Sequence, residues 1–257
     1  MKIQTKNIIG NYTLIYTLGL IFVFCLWFLF SYGIGSGNFY LPTPNKTFEA
    51  LGDLLKQKAL YKSIGWTLLR TIIGFGLAFV IAIILGTLAG HFKKTYLFLK
   101  PLMLVMKSIP TAALVFLFLV MAGSRFAPIY IVFLISFPIL YEAIAGGMQN
   151  VSNEIKDASK IDGAGLFRTV IKVELPLSLP YIVIGLTSSF ALSLKTEIMA
   201  EIITGNTDEG LGCMIQAYRL YNPTNLAPIF AIALVALVII LIIDLVGVII
   251  KKHINIE

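Results

Sequence analysis

The sequence predicts an all-α integral membrane protein with about six transmembrane helices, and three observations support this fold class. Hydrophobic residues make up 58% of the 257 residues and charged residues only 13%, whereas soluble domains contain about 45–50% and about 25% respectively. The few charges are separated by uncharged runs close to the about 20 residues that a spanning helix needs. Those runs are continuously apolar, so they exclude an alternating barrel and leave helices as the structure that satisfies the backbone in lipid.

Six uncharged segments are candidate spans: 14–30, 71–92, 108–124, 126–141, 175–194 and 220–243. The third and fourth are short for a bilayer, and snorkelling of Lys107 and Arg125 would lengthen them. The first could also be a signal peptide. It is longer than the apolar region of most signal peptides and no A-x-A site follows it, so we predict that it is a retained anchor.

The basic residues predict the orientation of the chain. If the N-terminus is cytoplasmic, the inside segments hold about twice as many Lys and Arg residues as the outside segments, as the positive-inside rule requires. With six spans the C-terminus is then inside as well. The net charge of +7 is explained by this topology, and no basic stripe stands clear of the apolar runs to bind nucleic acid. Membrane lipid is the expected surrounding.

Two segments are predicted to lie outside the membrane on the external side. Residues 41–62 predict an amphipathic helix on the membrane surface, with Thr43 as its N-cap and Pro44 in its first turn. Residues 204–225 are polar and rich in glycine, which predicts an external loop.

The long cytoplasmic loop, residues 149–175, is the most informative segment. Ser152 or Asn153 can cap a short helix, and Gly163 and Gly165 interrupt the pattern before a second amphipathic turn. The loop therefore predicts two short helices with apolar faces outside the bilayer, joined by a glycine hinge. Those faces would suit a groove in a cytosolic protein, or they could simply rest on the protein's own helices.

The loop contains Asp157-Ala158-Ser159, then three residues and Gly163, then nine residues and Val173, and then one residue and Leu175-Pro176. The pattern resembles the EAA loop of ABC-importer permeases, E-A-A, three residues, G, nine residues, I, one residue, L-P. The departures are Asp for Glu, Ser for the second Ala and Val for Ile. The resemblance implies a type I ABC importer permease fold in which this loop docks into the ATPase subunit, through Asp157, Ala158, Lys160, Ile161, Gly163, Ala164 and Phe167.

The resemblance extends over most of the chain, which is similar to permeases of the sulfonate/nitrate/taurine branch. The matching motifs are Leu41-Pro42-Thr43-Pro44, Thr67-Leu68-Leu69-Arg70, Ser108-Ile109-Pro110, Ala200-Glu201 and Gly210-Leu211-Gly212. The resemblance implies one permease domain over 1–257, usually a homodimer, in the bacterial inner membrane. It also implies two ABC ATPase subunits and an extracytoplasmic solute-binding protein as partners. The implied solute is a small organic or inorganic anion or a vitamin-like molecule, and Gly210, Leu211 and Gly212 are expected to form an external gate loop.

We expect no catalytic residue, metal or cofactor in this chain. It contains no G-x-x-x-x-G-K-[ST] loop to hold a phosphate, so ATP and Mg²⁺ are expected on the partner ATPase. It contains two histidines and two cysteines, with no metal-ligand spacing. His91 and His253 are interpreted as basic residues at the membrane edge.

Three charges in the fifth span need a special explanation, because a charge in hydrocarbon is costly. Glu197 and Glu201 share a helix face, whereas Lys195 points elsewhere. One hypothesis is that Lys195, Glu197 and Glu201 line the translocation path. The alternative is a structural ion pair near the external end of the helix.

Two other classes of function remain open at this point. A secondary transporter or channel would use the intramembrane charges without an ATPase, and it predicts internal repeats, of which we see no convincing example. An integral membrane enzyme would need a polar catalytic cluster at the interface, which the histidines and cysteines do not supply.

Overall fold

A computed structural model describes residues 3–33, 41–205 and 209–253. Within these ranges the regular structure is helical, which confirms the predicted all-α class. The helices are α1 (Ile3–Gly33), α2 (Pro44–Leu55), α3 (Lys58–His91), α4 (Lys93–Ser108), α5 (Thr111–Gln149), α6 (Asn153–Ile161), α7 (Leu166–Thr169), a π-helical turn (Val170–Glu174), α8 (Leu175–Thr204), α9 (Leu211–Tyr221) and α10 (Ala227–His253).

The six predicted spans lie largely within five described helices, α1, α3, α5, α8 and α10. Among the described residues, four stretches are long and apolar enough to cross a membrane: Lys58–His91, Thr111–Gln149, Leu166–Thr204 and Ala227–Lys252. Thr17–Gly33 is a shorter apolar helix. Helix α5 consists of two helical parts that meet at Gly123 (φ 73°, ψ 168°), two residues before Arg125. The boundary predicted between the third and fourth spans therefore lies close to a break in the helix.

The described chain forms two compact units, residues 1–58 with 217–234 and residues 59–216 with 235–257. In the first unit, α2 begins at Pro44 with an extended Thr43 before it, as predicted. The indole nitrogen of Trp27 donates to the Pro42 carbonyl at 3.3 Å, so α1 contacts the entry of α2. Helix α2 ends at Leu55, and the predicted amphipathic segment 41–62 therefore also includes the start of α3. That one domain spans 1–257 stays a prediction.

In the second unit, small residues on α3 allow close contact with α5. A Cβ added to Gly86 would lie 2.9 Å from Cβ of Ile144 and 3.2 Å from the carbonyl of Tyr141, both of which are buried. Gly90 is equally tight against Met148. Without a hydrophobic force between helices in lipid, such close backbone packing is a main source of association.

This packing predicts that Gly86→Val destabilises the protein more than Gly76→Val. Overpacking a tight contact costs about 1–3 kcal/mol, whereas a Cβ on Gly76 of the same helix meets nothing within 4 Å. We expect the midpoint of thermal unfolding in detergent to fall by several degrees for Gly86→Val and to change little for Gly76→Val. Equal midpoints would contradict the proposed contact.

Candidate functional site: a buried ion-pair cluster and an exposed loop

A buried ion pair joins α3 to α8 near their predicted external ends. Nη1 of Arg70 donates to Oε1 of Glu201 at 3.0 Å, and their side chains are 3% and 0% exposed. The hydroxyl of Thr67 lies 2.9 Å from Oε2 of the same carboxylate. An ion pair in such a site is stable only when hydrogen bonds satisfy the remaining polar atoms, and the chain supplies several of them.

The same three side chains hold the backbone of residues 209–212, which we call the gate segment. The Gly212 amide donates to Oε2 of Glu201 at 3.0 Å, and the Leu211 amide donates to Oγ1 of Thr67 at 2.9 Å. Nη1 of Arg70 also donates to the carbonyl of Glu209 at 2.7 Å. The gate segment is therefore held by hydrogen bonds to both α3 and α8.

Glycines are required in the gate segment because the backbone passes so close to α8. Gly210 has a φ of 135°, a conformation that L side chains rarely adopt. A Cβ on Gly212 would lie 2.6 Å from Cβ of Glu201 and 2.8 Å from the amide nitrogen of Ile202. The predicted gate residues Gly210, Leu211 and Gly212 thus all lie at the Arg70–Glu201 pair.

One part of the predicted external loop is wrong. Residues 204–225 were expected to be polar and irregular, but α9 (Leu211–Tyr221) begins inside the gate segment. Leu211, Gly212 and Cys213 are buried at its start. The glycines that suggested a loop instead permit a tight turn, from which a helix with apolar residues on one face can begin.

The structure separates the three residues that were predicted to line the translocation path. Lys195 is exposed, whereas Glu197 and Glu201 are both 0% exposed on the inner face of α8. The expectation that the two carboxylates share a face is confirmed. The charge partner of Glu201 is Arg70, which borders the second predicted span and was predicted only as part of a family motif.

The 149–175 loop has the predicted form of two short helices with a glycine hinge. Helix α6 ends at Ile161, Gly163 adopts a φ of 73°, and α7 begins at Leu166. Two large apolar side chains on or at the ends of these helices face outward, with Ile161 86% and Phe167 76% exposed. Of the other docking candidates, Asp157, Ala158 and Gly163 are exposed and Ala164 is half-buried. The side chain of Lys160 lies outside the described residues.

A hydrogen bond between His91 and Glu174 joins α3 to the base of this loop. Nδ1 of His91, at the end of α3, lies 2.9 Å from Oε1 of Glu174, whose side chain is 0% exposed. Glu174 closes the π-helical turn that joins α7 to α8. His91 was interpreted only as a basic residue at the membrane edge, and the structure adds this partner. The side chain of His253 lies outside the described residues. Among the described residues, no group of three His, Cys, Asp or Glu side chains could hold a metal ion.

Helices long enough to cross a membrane, with the buried Arg70–Glu201 pair between two of them, favour a membrane transport protein, because ionisable residues within membrane spans usually mark transport paths. The family described as the binding-protein-dependent transport system inner membrane component matches residues 78–256, more than half of the chain. The chain belongs to this family, and the protein is the permease subunit of an ABC importer in the inner membrane. The secondary transporter and the channel are thereby set aside.

Relatives and solved structures agree with this assignment. A probable ABC transporter permease of Brucella melitensis is 28% identical and covers 81% of this chain and 89% of its own length. The nitrate import permease protein of Leptolyngbya laminosa is 30% identical (74% and 67%), and a putative aliphatic sulfonates transport permease of Bacillus subtilis is 26% identical (72% and 67%).

The fold is also that of solved importers. A chain of the MetNI methionine ABC transporter, in inward-facing conformations, superposes with a TM-score of 0.66 at 21% identity. The match covers 76% of this chain and 96% of that chain. A chain of an amino acid ABC transporter with histidines gives a TM-score of 0.66 at 17% identity, covering 79% and 97%. The predicted type I importer permease fold is confirmed.

Proposed function

We propose that the 149–175 loop is the surface that docks into the ATPase subunits of this importer. The observation that supports the proposal is the exposure of Ile161 and Phe167 on short helices at the basic, predicted cytoplasmic side. An exposed apolar patch of this kind marks an interaction site, and an amphipathic helix suits a groove. Glu174, paired with His91 at the base of the loop, would carry a movement of the docked helices to α3 and α8.

The proposal is tested by co-purification. A tagged permease co-expressed with its ATPase subunits should retain them, and a variant lacking residues 153–168 should lose them while remaining in the membrane. ATP-dependent uptake into proteoliposomes should require both chains, because we place ATP and Mg²⁺ on the ATPase and none on the permease. Retention of the ATPase by the shortened permease would contradict the docking proposal.

Gly163→Trp should uncouple ATP hydrolysis from uptake. A side chain at this positive φ is strained by about 1–3 kcal/mol, and the indole would project from the docking surface. The matched control is Gly165→Trp, since Gly165 has a φ of −65° and no atom would lie near its Cβ. We expect the ratio of solute transported to ATP hydrolysed to fall strongly for Gly163→Trp and much less for Gly165→Trp. Equal ratios would contradict the hinge role.

We further propose that the solute is a small anion and that Lys195 contacts it. Lys195 is exposed on a membrane-spanning helix, and a cation facing lipid is strongly unfavourable, so it should face a water-filled path or a second permease copy. The nitrate and sulfonate permeases among the relatives are named for anions. We place the path between two copies of the chain, fed by an extracytoplasmic binding protein. A vitamin-like anion fits the same chemistry.

Lys195→Met should lower uptake of the anion by about tenfold or more, because one charge-assisted contact in a dry path contributes roughly 1.4 kcal/mol or above. Lys195→Arg keeps the charge and should retain most of the uptake. Assembly with the ATPase, measured by co-purification, should not change in either variant. Unchanged uptake and unchanged solute preference in Lys195→Met would contradict the path role of this residue.

A further inference from the structure

A second buried carboxylate lies one helical turn from Glu201. Glu197 is 0% exposed, and neither of its carboxylate oxygens has a hydrogen-bond partner among the described residues. Positions four apart on a helix share a face, so Glu197 lies on the same face of α8 as Glu201, with which Arg70 pairs at 3.0 Å. A buried carboxyl group without a hydrogen-bond partner is unfavourable whether it is charged or neutral, so the hydrogen-bonding capacity of Glu197 is unused in this conformation.

Arg70 also has unused hydrogen-bonding capacity in this conformation. Its Nη1 serves both Glu201 and the Glu209 carbonyl, whereas its Nη2 is buried and has no acceptor within the described part of the chain. The guanidinium also lies over the ring of Trp66, 5.6 Å from the ring centroid. The Trp66 ring contacts the flat face of the guanidinium, so the N–H groups at its edge remain able to change hydrogen-bond partners. A guanidinium offers five N–H donors, enough for two carboxylates.

We propose that Glu197 is a positioning residue for opening the outer end of the path, because it is the second partner of Arg70. In the conformation described here, Arg70 holds Glu201 and the gate segment. When ATP binding moves α3 relative to α8, Arg70 transfers to Glu197, and Glu201 releases the amide of Gly212. Glu201 then meets water admitted from outside, where a carboxylate needs no protein partner. The inference rests on the proposed function.

This exchange explains why two carboxylates and one guanidinium occupy the same buried site. A gate that broke the Arg70–Glu201 pair without a replacement would leave a cation unpaired in the membrane, which would oppose opening. With Glu197 one turn away, the cation is paired in both conformations. The cluster thus has two discrete arrangements, as a two-state switch requires.

The native Cys213 reports the release of the gate segment. It follows the segment directly, is 6% exposed, and its sulfur lies 3.8 Å from the Glu201 carbonyl. Cys25, the other cysteine, is exposed and is replaced by Ser in every variant. The permease is reconstituted with its ATPase subunits and binding protein in nanodiscs, and the rate of maleimide labelling is measured with and without a non-hydrolysable ATP analogue.

The analogue should raise labelling of Cys213 by about tenfold in the reference protein, a coupling within the usual range. Glu197→Gln should abolish most of that rise and leave the rate without nucleotide unchanged, since the amide cannot replace the anion for Arg70. Glu201→Gln should raise the rate without nucleotide. The matched control is Ser189→Ala, two turns from Glu197 on the same helix and also buried. Within the described chain its hydroxyl bonds only to carbonyls of α8, so this variant should behave like the reference protein.

A full rise in Glu197→Gln would overturn the exchange. If that variant does not assemble, Glu197→Asp decides the matter, because it keeps the charge and should retain at least half of the rise; loss of the rise there would also overturn the proposal. Uptake by the reference protein is measured in parallel. Absence of ATP-dependent uptake would contradict the proposed function, whereas normal uptake with no effect of Glu197→Gln would contradict the exchange alone.

Discussion

Phe167→Ala will detach the permease from its ATPase subunits and leave the permease itself folded. The side chain is 76% exposed, and substitutions at exposed positions usually change stability by only about 0.5 kcal/mol. An aromatic residue buried at the centre of an interface contributes about 2–4 kcal/mol, which corresponds to a loss of affinity of roughly 30- to 1,000-fold. The expected result is therefore a large binding defect without a stability defect.

Binding of the ATPase to the permease in nanodiscs measures the first effect, and thermal unfolding in detergent measures the second. Phe98→Ala is the matched control, because Phe98 has the same side chain at 81% exposure and lies on α4, outside the 149–175 loop. It should bind the ATPase normally. If both variants lose affinity equally, the defect is a general consequence of removing exposed aromatics, and the docking surface has been placed wrongly.

Features governed by neighbouring residues could be predicted from the sequence. The start of α2 could be predicted from Pro44, because a fixed proline φ acts within one turn. Thr43 occupies the N-cap position in an extended conformation, but its side chain makes no capping hydrogen bond. The hinge between α6 and α7 follows from the two glycines, Gly163 and Gly165, between the amphipathic turns, of which only Gly163 adopts a positive φ. The all-α class follows from composition, since lipid admits few other solutions.

Features that depend on distant residues could not be predicted in this way. Arg70 and Glu201 are separated by 131 positions, and no spacing rule links them. The partner chosen for His91 is 83 positions away. The sequence contained a signal for the first pair, namely opposite charges at the borders of two spans, but only the packing of α3 against α8 decides which charges meet. The start of α9 at Leu211 likewise depends on backbone geometry that composition does not record, whereas the break at Gly123 lies two residues before the charge of Arg125, where a span boundary was predicted.

Arg70→Met will lower the free energy of unfolding of the permease more than the substitution of an exposed charge that contacts the same gate segment. Removing one partner of a buried ion pair costs about 3–5 kcal/mol, because the other charge stays buried and unpaired. Arg70 also holds the Glu209 carbonyl, so the gate segment loses a second contact. The Lys62–Glu209 pair offers a matched control in the same segment: its side chains are 63% and 26% exposed, and such pairs contribute about 0–1 kcal/mol. Lys62→Met should therefore have little effect.

The double variant Arg70→Met/Glu201→Gln distinguishes a charge effect from a packing effect. The amide oxygen of Gln can still accept from the Gly212 amide and the Thr67 hydroxyl, which now serve Glu201, and it needs no cation. The double variant should therefore be more stable than Arg70→Met alone, although it carries one substitution more. Unfolding free energies of the four proteins in the cycle measure this coupling. If the two substitutions simply add, the buried charge is not what makes Arg70 indispensable, and the gate segment must be held by its hydrogen bonds alone.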